Sequence, residues 1–207
     1  MLNSILLRVR KLYIRITAPM RRKKLKNEDF TVISNNCWAG LLYESYGIKK
    51  KSPTVGMYFM AEEYLKFLQN LKHYTSCPIT FIEPGQARHK DYYSLDSRFG
   101  TYPIARLDDV EIAMLHYRSE AEAAKKWERR CKRINWDRLL VKMNDQNQCL
   151  PEYAEVFFQL PFENKLFFSC QSWPGCVQLP GKGTVGMLSE PFGASKKFNV
   201  NSLINDL

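Results

Sequence analysis

The stretch Phe30-Thr31-Val32-Ile33-Ser34-Asn35-Asn36-Cys37-Trp38-Ala39-Gly40 carries two amides, a thiol and an indole at the end of a short β-branched run. A buried strand that ends in a polar cluster is how open α/β sheets place ligand sites. The paired amides of Asn35 and Asn36 suit hydrogen bonding to sugar hydroxyls or to a base, and such amides also tie turns to their neighbours. Trp38 belongs to the same candidate ligand set. Cys37 is expected near a helix N-terminus, where the dipole lowers a thiol pKa, and His116 at the end of another expected strand is its candidate base. The competing reading makes Cys37 a buried, inert thiol that lines or supports the crevice.

Two further constellations carry chemistry. In Arg106-Leu107-Asp108-Asp109-Val110-Glu111, acidic residues such as Asp109 can hold a divalent metal that bridges a diphosphate, as nucleotide-sugar transferases often require; they can equally cap a turn. In Trp127-Glu128-Arg129-Arg130-Cys131-Lys132-Arg133-Ile134-Asn135-Trp136, Arg130 and Arg133 suit phosphate or carboxylate recognition and the indoles suit stacking. The alternative there is a core Trp127 with the arginines on a solvated face. Asn144 and Asp145 end another expected strand, which places them in the same crevice as Asn35 and Asn36. Gly181-Lys182-Gly183-Thr184-Val185-Gly186 matches the glycines of a dinucleotide fingerprint, but no buried strand feeds it and Pro191 cuts off a following helix.

These residues need elements to hold them. From Asn27 onward strands and helices alternate: strands over 30–34, 54–59, 79–82, 110–117, 138–144 and 165–170, and helices over 39–46, 61–73, 120–133 and 151–159. The helix beginning at Glu120 is the best marked, with Ser119 and Glu122 at capping-box spacing, acids in its first turn and Arg129, Arg130, Lys132 and Arg133 in its last. The polar stretch 83–102 is expected to be a lid or specificity loop, and the chain after Gln171 is expected to run in loops. The fold class is α/β: a single three-layer domain over residues 27–207 with a mostly parallel sheet, preceded by a basic amphipathic arm over 1–26.

Charge supports that division. The net charge is +10, yet residues 1–26 hold nine Lys/Arg and no acid, leaving 22 basic against 21 acidic residues in the body. The body therefore exerts little long-range pull on nucleic acid, and no nucleic-acid partner is expected. In the arm Leu2, Ile5, Leu6, Val9, Leu12, Tyr13 and Ile16 share one helical face, Arg8, Lys11 and Arg15 the other, Pro19 is expected to end the helix, and Arg21-Arg22-Lys23-Lys24 follows. An apolar stripe beside a polybasic patch holds peripheral proteins on an anionic cytoplasmic leaflet. The same stripe can instead pack on the body or a partner, and the charge also fits nucleic-acid contact or an organelle transit peptide. No run reaches the roughly 20 apolar residues of a membrane span. Six cysteines without a paired CxxC, and no secretory signal, read as reduced thiols in the cytosol, peripheral to the inner face of the plasma membrane.

Several ordered blocks resemble a bacterial family labelled exopolysaccharide biosynthesis protein, a domain of unknown function. They are Ile33-Ser34-Asn35-Asn36-Cys37-Trp38, Ser52-Pro53-Thr54-Val55-Gly56 with Phe59-Met60-Ala61-Glu62, Tyr102-Pro103-Ile104, Leu115-His116-Tyr117, and Trp127 through Trp136. The family pattern has a second glycine where this chain has Ala39, and a polar or aromatic residue where it has Ala113. The resemblance implies an α/β fold and a role in making capsule or other surface polysaccharide, as a transferase of a glycosyl or other activated group acting on an activated sugar or polysaccharide precursor. The first alternative is a non-catalytic module that binds such a precursor or an assembly partner; the second is a basic-armed nucleic-acid binder.

Overall fold

The computed structural model describes residues 9, 12–186, 189–193, 195 and 198–207. Its centre is a four-stranded, wholly parallel sheet in the order β1 (Thr31–Ser34), β5 (Leu139–Asn144), β6 (Asn164–Ser169), β7 (Val177–Gln178). Thr31 pairs with Leu139 and Ser34 with Lys142, so β1 and β5 end side by side at the same edge. Successive side chains alternate between faces. Val32, Leu140, Leu166 and Phe168 pack with Trp38, Leu42, Tyr43 and Tyr46 of α2 (Trp38–Tyr46) and with Val200 and Ile204 of α8 (Val200–Asn205). Ile33, Val141, Met143 and Phe167 pack with α3 (Ala61–Gln69), α6 (Glu120–Cys131) and α7 (Pro151–Gln159) through Tyr64, Phe67, Trp127 and Phe157. This is a three-layer α/β arrangement with a mostly parallel sheet.

A second, antiparallel sheet holds β2 (Ile79–Ile82), β3 (Ile104–Leu107) and β4 (Val110–Ala113) in that order. Strand 79–82 therefore does not join the parallel sheet: it pairs antiparallel with β3, which a hairpin through Asp108, at φ 53°, joins to β4. Residues 54–59 form no strand: Gly56 sits at φ 83° and only Tyr58 bridges Ala113. The strand expected to reach residue 117 stops at Ala113, where the chain turns and the Leu115 N–H donates to the Ala113 carbonyl.

The helix expected over 61–73 breaks at Asn70 and resumes as α4 (Leu71–Ser76). The stretch 83–102 is ordered by a short turn at Pro84–Gln86 and by α5 (Lys90–Tyr93), which bury Ala87 and Tyr93 beside Tyr102. The chain beyond Gln171 is not all loop, since β7 extends the sheet and α8 covers one face. The first helical stretch ends just before Pro19, but the chain becomes helical again at once. Residues 12–16 are helical, the turn falls at Thr17, and α1 (Ala18–Arg22) restarts with Pro19 in its first turn, where a missing N–H costs nothing.

Of the expected apolar stripe, Leu2, Ile5 and Leu6 lie outside the described residues, as do Arg8 and Lys11. Val9, Leu12, Tyr13, Ile16 and Met20 are exposed, while Ile14 and Ala18 are buried. Arg21 reaches the body, donating from Nε to the Ser45 carbonyl at 2.7 Å. Among the described residues no helix is long and apolar enough to cross a membrane.

Candidate functional site

The adjacent carboxyl ends of β1 and β5 deliver a buried polar array. Lys142 is wholly buried in the apolar run 139–143 of β5, and it forms an ion pair with Glu190, equally buried. Around this pair the amides interlock. Asn144 Nδ2 donates to Glu190 Oε1 at 2.9 Å and to Gln146 Oε1 at 2.9 Å; Asn36 Nδ2 donates to Glu190 Oε2 and to Gln146 Oε1, each at 3.2 Å. Lys142 Nζ also donates to Asn36 Oδ1 at 3.2 Å, an oxygen that accepts from Ser34 Oγ and from the Trp38 N–H at 3.0 Å each. Asn35 Nδ2 donates to Asn144 Oδ1 at 2.8 Å, while Asn35 Oδ1 is buried without a hydrogen-bond partner among the described residues.

Burial pushes the Lys142 ammonium below its ordinary pKa, and Glu190 pulls it back up. Trp38 and Phe168 complete its surroundings, with ring centroids 5.7 and 5.8 Å from Nζ. The Trp38 indole is fixed by donation to the Pro191 carbonyl at 3.2 Å. Asn36 and Gln146 also wall an open cavity of about 360 Å³ together with Asn147, Tyr58, Tyr92 and Arg98. Asn147 holds φ 58° and ties the wall together, accepting from Tyr92 Oη at 3.3 Å and donating to the Phe59 carbonyl at 2.8 Å. The stretch expected to be a lid therefore supplies one side of this crevice.

The candidate residues fall in four places. Asn36 lines the crevice, with Asn35 and Asn144 hydrogen-bonded beneath it. Asp145 is a clamp: its carboxylate accepts from Ser169 Oγ at 2.9 Å, the Cys170 N–H at 2.7 Å and the Val185 N–H at 2.6 Å, which pins the C-terminal segment. Arg130 lines a separate cavity of about 240 Å³, into which Cys37 and His116 also face, and it donates to the Val55 carbonyl at 3.1 Å. Arg133 and Asp109 line neither cavity. Asp109 sits in the β3–β4 hairpin, held below its ordinary pKa by Lys66 and by the Tyr74 hydroxyl at 2.8 Å.

Cys37 is the residue before α2, but its thiol is 3.8 Å from the Met57 carbonyl and buried. Burial, with Glu190 adding to it, pushes the thiol up to about 12, which overrides the helix dipole. Trp127 is a core residue, and Trp136 is partly exposed beneath Lys72. Lys142 is not among the site residues expected from sequence, although a lone cation inside an apolar run demands a counter-ion and is a signal that could have found it. Glu190, Gln146, Tyr58 and Tyr92 carry no such local signal.

A second buried charge cluster lies between α3 and the antiparallel sheet. Glu63 accepts from the Arg88 guanidinium, from the Glu111 N–H at 3.1 Å and faces His89 Nε2 at 3.1 Å; Glu111 takes Arg106 at 2.8 Å and the Arg88 N–H at 2.8 Å. Burial opposes ionisation of Glu63, yet His89, the Glu111 N–H and Arg88 outweigh it and hold the carboxyl below its ordinary range. Glu62, Glu63 and His89 present ligand atoms within 4.8 Å of one another, the spacing of a divalent-metal site. With the Arg88 cation already on Glu63, this trio fits an ion-pair network better than a metal.

A parallel-sheet α/β protein with a lysine–glutamate–amide array at the carboxyl edge of its central strands is the class that fold and site define. The chain belongs to the family described as "Domain of unknown function (DUF1919)", which it matches over residues 8–188. It is 33% identical over 153 residues to an uncharacterized protein of Haemophilus influenzae, an overlap of 74% of this chain and 68% of that protein. The family match takes in the whole array except Glu190.

Proposed function

We propose that the protein binds an activated sugar in the Asn36–Gln146–Asn147 crevice and transfers its glycosyl or other activated group in bacterial surface or exopolysaccharide synthesis, at the inner face of the plasma membrane. The observation that carries the reading is the amide array: Asn36 and Gln146 are oriented by the buried Lys142–Glu190 pair and open onto the crevice. Asn36 is saturated within the array and holds Gln146 by its Oε1, which leaves the Gln146 Nε2 group to donate to a sugar hydroxyl. Tyr58 and Tyr92 add aromatic faces and Arg98 adds a cation for a phosphate or carboxylate. Membrane contact is supported by Val9, Leu12, Tyr13, Ile16 and Met20, which form an exposed apolar stripe next to Arg22, Lys23 and Lys24.

A second reading, a non-catalytic module for a polysaccharide precursor or assembly partner, is favoured by one observation. The crevice thiol Cys37 is held protonated and the nearby carboxylate of Glu190 is tied into an ion pair, so neither is poised as nucleophile or base. The test is a thermal-shift and turnover screen with nucleotide sugars, nucleotides and polysaccharide fragments. A ligand at about 100 times its Kd should add roughly 2.7 kcal/mol of apparent stability. Stabilisation by a nucleotide sugar with transfer supports the transferase, glycan binding without turnover supports the module, and no response to either class overturns both.

A further inference from the structure

We propose that the cavity on the far side of Cys37 binds the phosphate of a lipid phosphate, whose chain runs along the trough between the N-terminal helical segment and α2. This rests on the sugar-transfer reading only in that such a lipid would be the acceptor or carrier; its physical basis is separate. The cavity of about 240 Å³ is lined by three cations, Lys50, Lys126 and Arg130, against one carboxylate, Glu44. Its floor is rigid. Arg130 is buried in the last turn of α6 and anchored on the Val55 carbonyl at 3.1 Å and on the Tyr117 hydroxyl, which itself donates to Val55.

The two lysines are adjustable. Lys126 lies 5.4 Å from the centroid of the Tyr117 ring and pairs with Glu122, whose carboxylate also accepts from the Arg118 N–H at 3.1 Å. Lys50 pairs with Glu44 at the rim, and both lysines are about one-third exposed. A phosphate entering here gains three cations while Glu122 keeps its backbone partner, so neither a buried charge nor a buried acceptor is stranded.

The occupant's second half is defined by what adjoins the cavity. Leu41 and Glu44 of α2 wall both this cavity and a neighbouring trough of about 540 Å³, whose other sides are Ile14, Ala18, Gly47 and Ile48, with Arg15 as its one cation. A basic cavity that shares the Leu41 and Glu44 wall with a largely apolar trough fits an amphiphile with a phosphate head, and a nucleotide would leave the trough empty. The trough runs under the helix whose outer face carries Leu12, Tyr13, Ile16 and Met20, so a chain leaving it emerges beside the stripe assigned to the membrane surface. Cys37 lines both this cavity and the sugar crevice, so the phosphate and the sugar would meet across one side chain.

The test is titration calorimetry of the full chain with inorganic phosphate, farnesol, farnesyl monophosphate and uridine diphosphate. Farnesyl monophosphate should bind at least about tenfold more tightly than phosphate or farnesol alone, because one ligand then satisfies both subsites. Lys126→Ala should weaken phosphate and farnesyl monophosphate by about tenfold, the worth of one charge-assisted contact, with Lys126→Arg restoring both; Leu41→Gln should weaken only the lipid. Uridine diphosphate binding as tightly as the lipid and displaced by phosphate would assign the cavity to nucleotides and overturn the proposal. Indifference of lipid binding to Lys126→Ala, with the melting temperature unchanged, would overturn it too. Asn36→Ala separates the two readings: it should leave farnesyl monophosphate untouched even if every sugar ligand fails.

Discussion

The molecule buries charge in two places and in two different ways. Around Glu63 and Glu111 every carboxylate oxygen is met by a cation or backbone N–H, and the cations, Arg88 and Arg106, stand at the surface with side chains 46% and 38% exposed. Around Lys142 and Glu190 both ions are fully enclosed and the remaining partners are neutral amides; each cluster leaves a buried polar atom without a partner among the described residues, Asn35 Oδ1 here and Arg106 Nε there. The first cluster fastens α3 and the segment at Arg88 to a small antiparallel sheet. The second borders an open crevice at the carboxyl edge of a parallel sheet, the place where α/β proteins bind ligands. Charge buried among carboxylates and surface cations fastens elements together; charge buried so as to hold amides beside a cavity is what the proposed sugar site requires.

The sharpest way to break that contrast is to remove one ion from each cluster. Glu190→Ala should strand the Lys142 ammonium and cost about 3–5 kcal/mol in urea unfolding, whereas replacing both with Met and Leu should recover much of that and still abolish ligand binding. If the double replacement kept ligand affinity, the pair would be as structural as Glu63. Glu63→Gln should cost less, about 1.5–3 kcal/mol, since Arg88 can rehydrate at the surface. The pH dependence has a definite sign. The Glu63 carboxyl is held below its ordinary value of 4.5, so its contribution is present above that pH and is lost as pH falls through the lower folded value. Stability curves of wild type and Glu63→Gln should therefore converge below about pH 4.5.

A smaller effect separates ligand from fold inside the amide array. Asn36 borders the crevice and Asn144 lies behind it, so Asn36→Ala should release Gln146 and weaken sugar-nucleotide binding by about tenfold, at a cost of about 1–3 kcal/mol because Lys142 and Glu190 each lose a partner. Asn144→Ala likewise removes a donor to Glu190, at a similar cost in stability, but Asn144 does not border the crevice and its loss should weaken binding less. Equal losses of binding in both variants would mean that the array acts as a turn.

Sequence periodicity located what periodicity controls. The alternation in Val32-Ile33 and in Leu140-Val141-Lys142-Met143 fixes strands covered on both faces, and Pro151–Gln159 begins and ends where a proline start and an apolar stripe place it. The same logic failed at 54–59, where Val55, Met57 and Phe59 alternate but Gly56 at φ 83° prevents an extended backbone and the apolar residues are buried by tertiary packing. In the site, the strand-end amides were legible because a polar cluster after a β-branched run has few other uses. Glu190 was not legible: it lies in a segment without periodicity, and only the long-range contact to Lys142 gives it a role. Asp145 was assigned to the crevice for its position at a strand end, yet its three hydrogen bonds turn it toward the Cys170 and Val185 backbone.

The smallest expected effect concerns Cys37, and it tests whether the crevice is a place of recognition or of covalent chemistry. A thiol pushed up to about 12 is ionised in about one molecule in ten thousand at pH 8, too few for a nucleophile of ordinary reactivity. Iodoacetamide at pH 8 should therefore modify Cys77 and Cys170 first, which are partly exposed, and leave Cys37 until the chain unfolds. Replacing His116 with Ala should not change the Cys37 rate, because burial and the carboxylate of Glu190 set its pKa. Cys37→Ala should cost on the order of 1 kcal/mol and leave any turnover in place. Fast labelling of Cys37 that slows in the His116 variant would reverse the assignment: the buried ions would then be tuning a nucleophile, and the contrast between the two charge clusters would become one between structure and covalent catalysis.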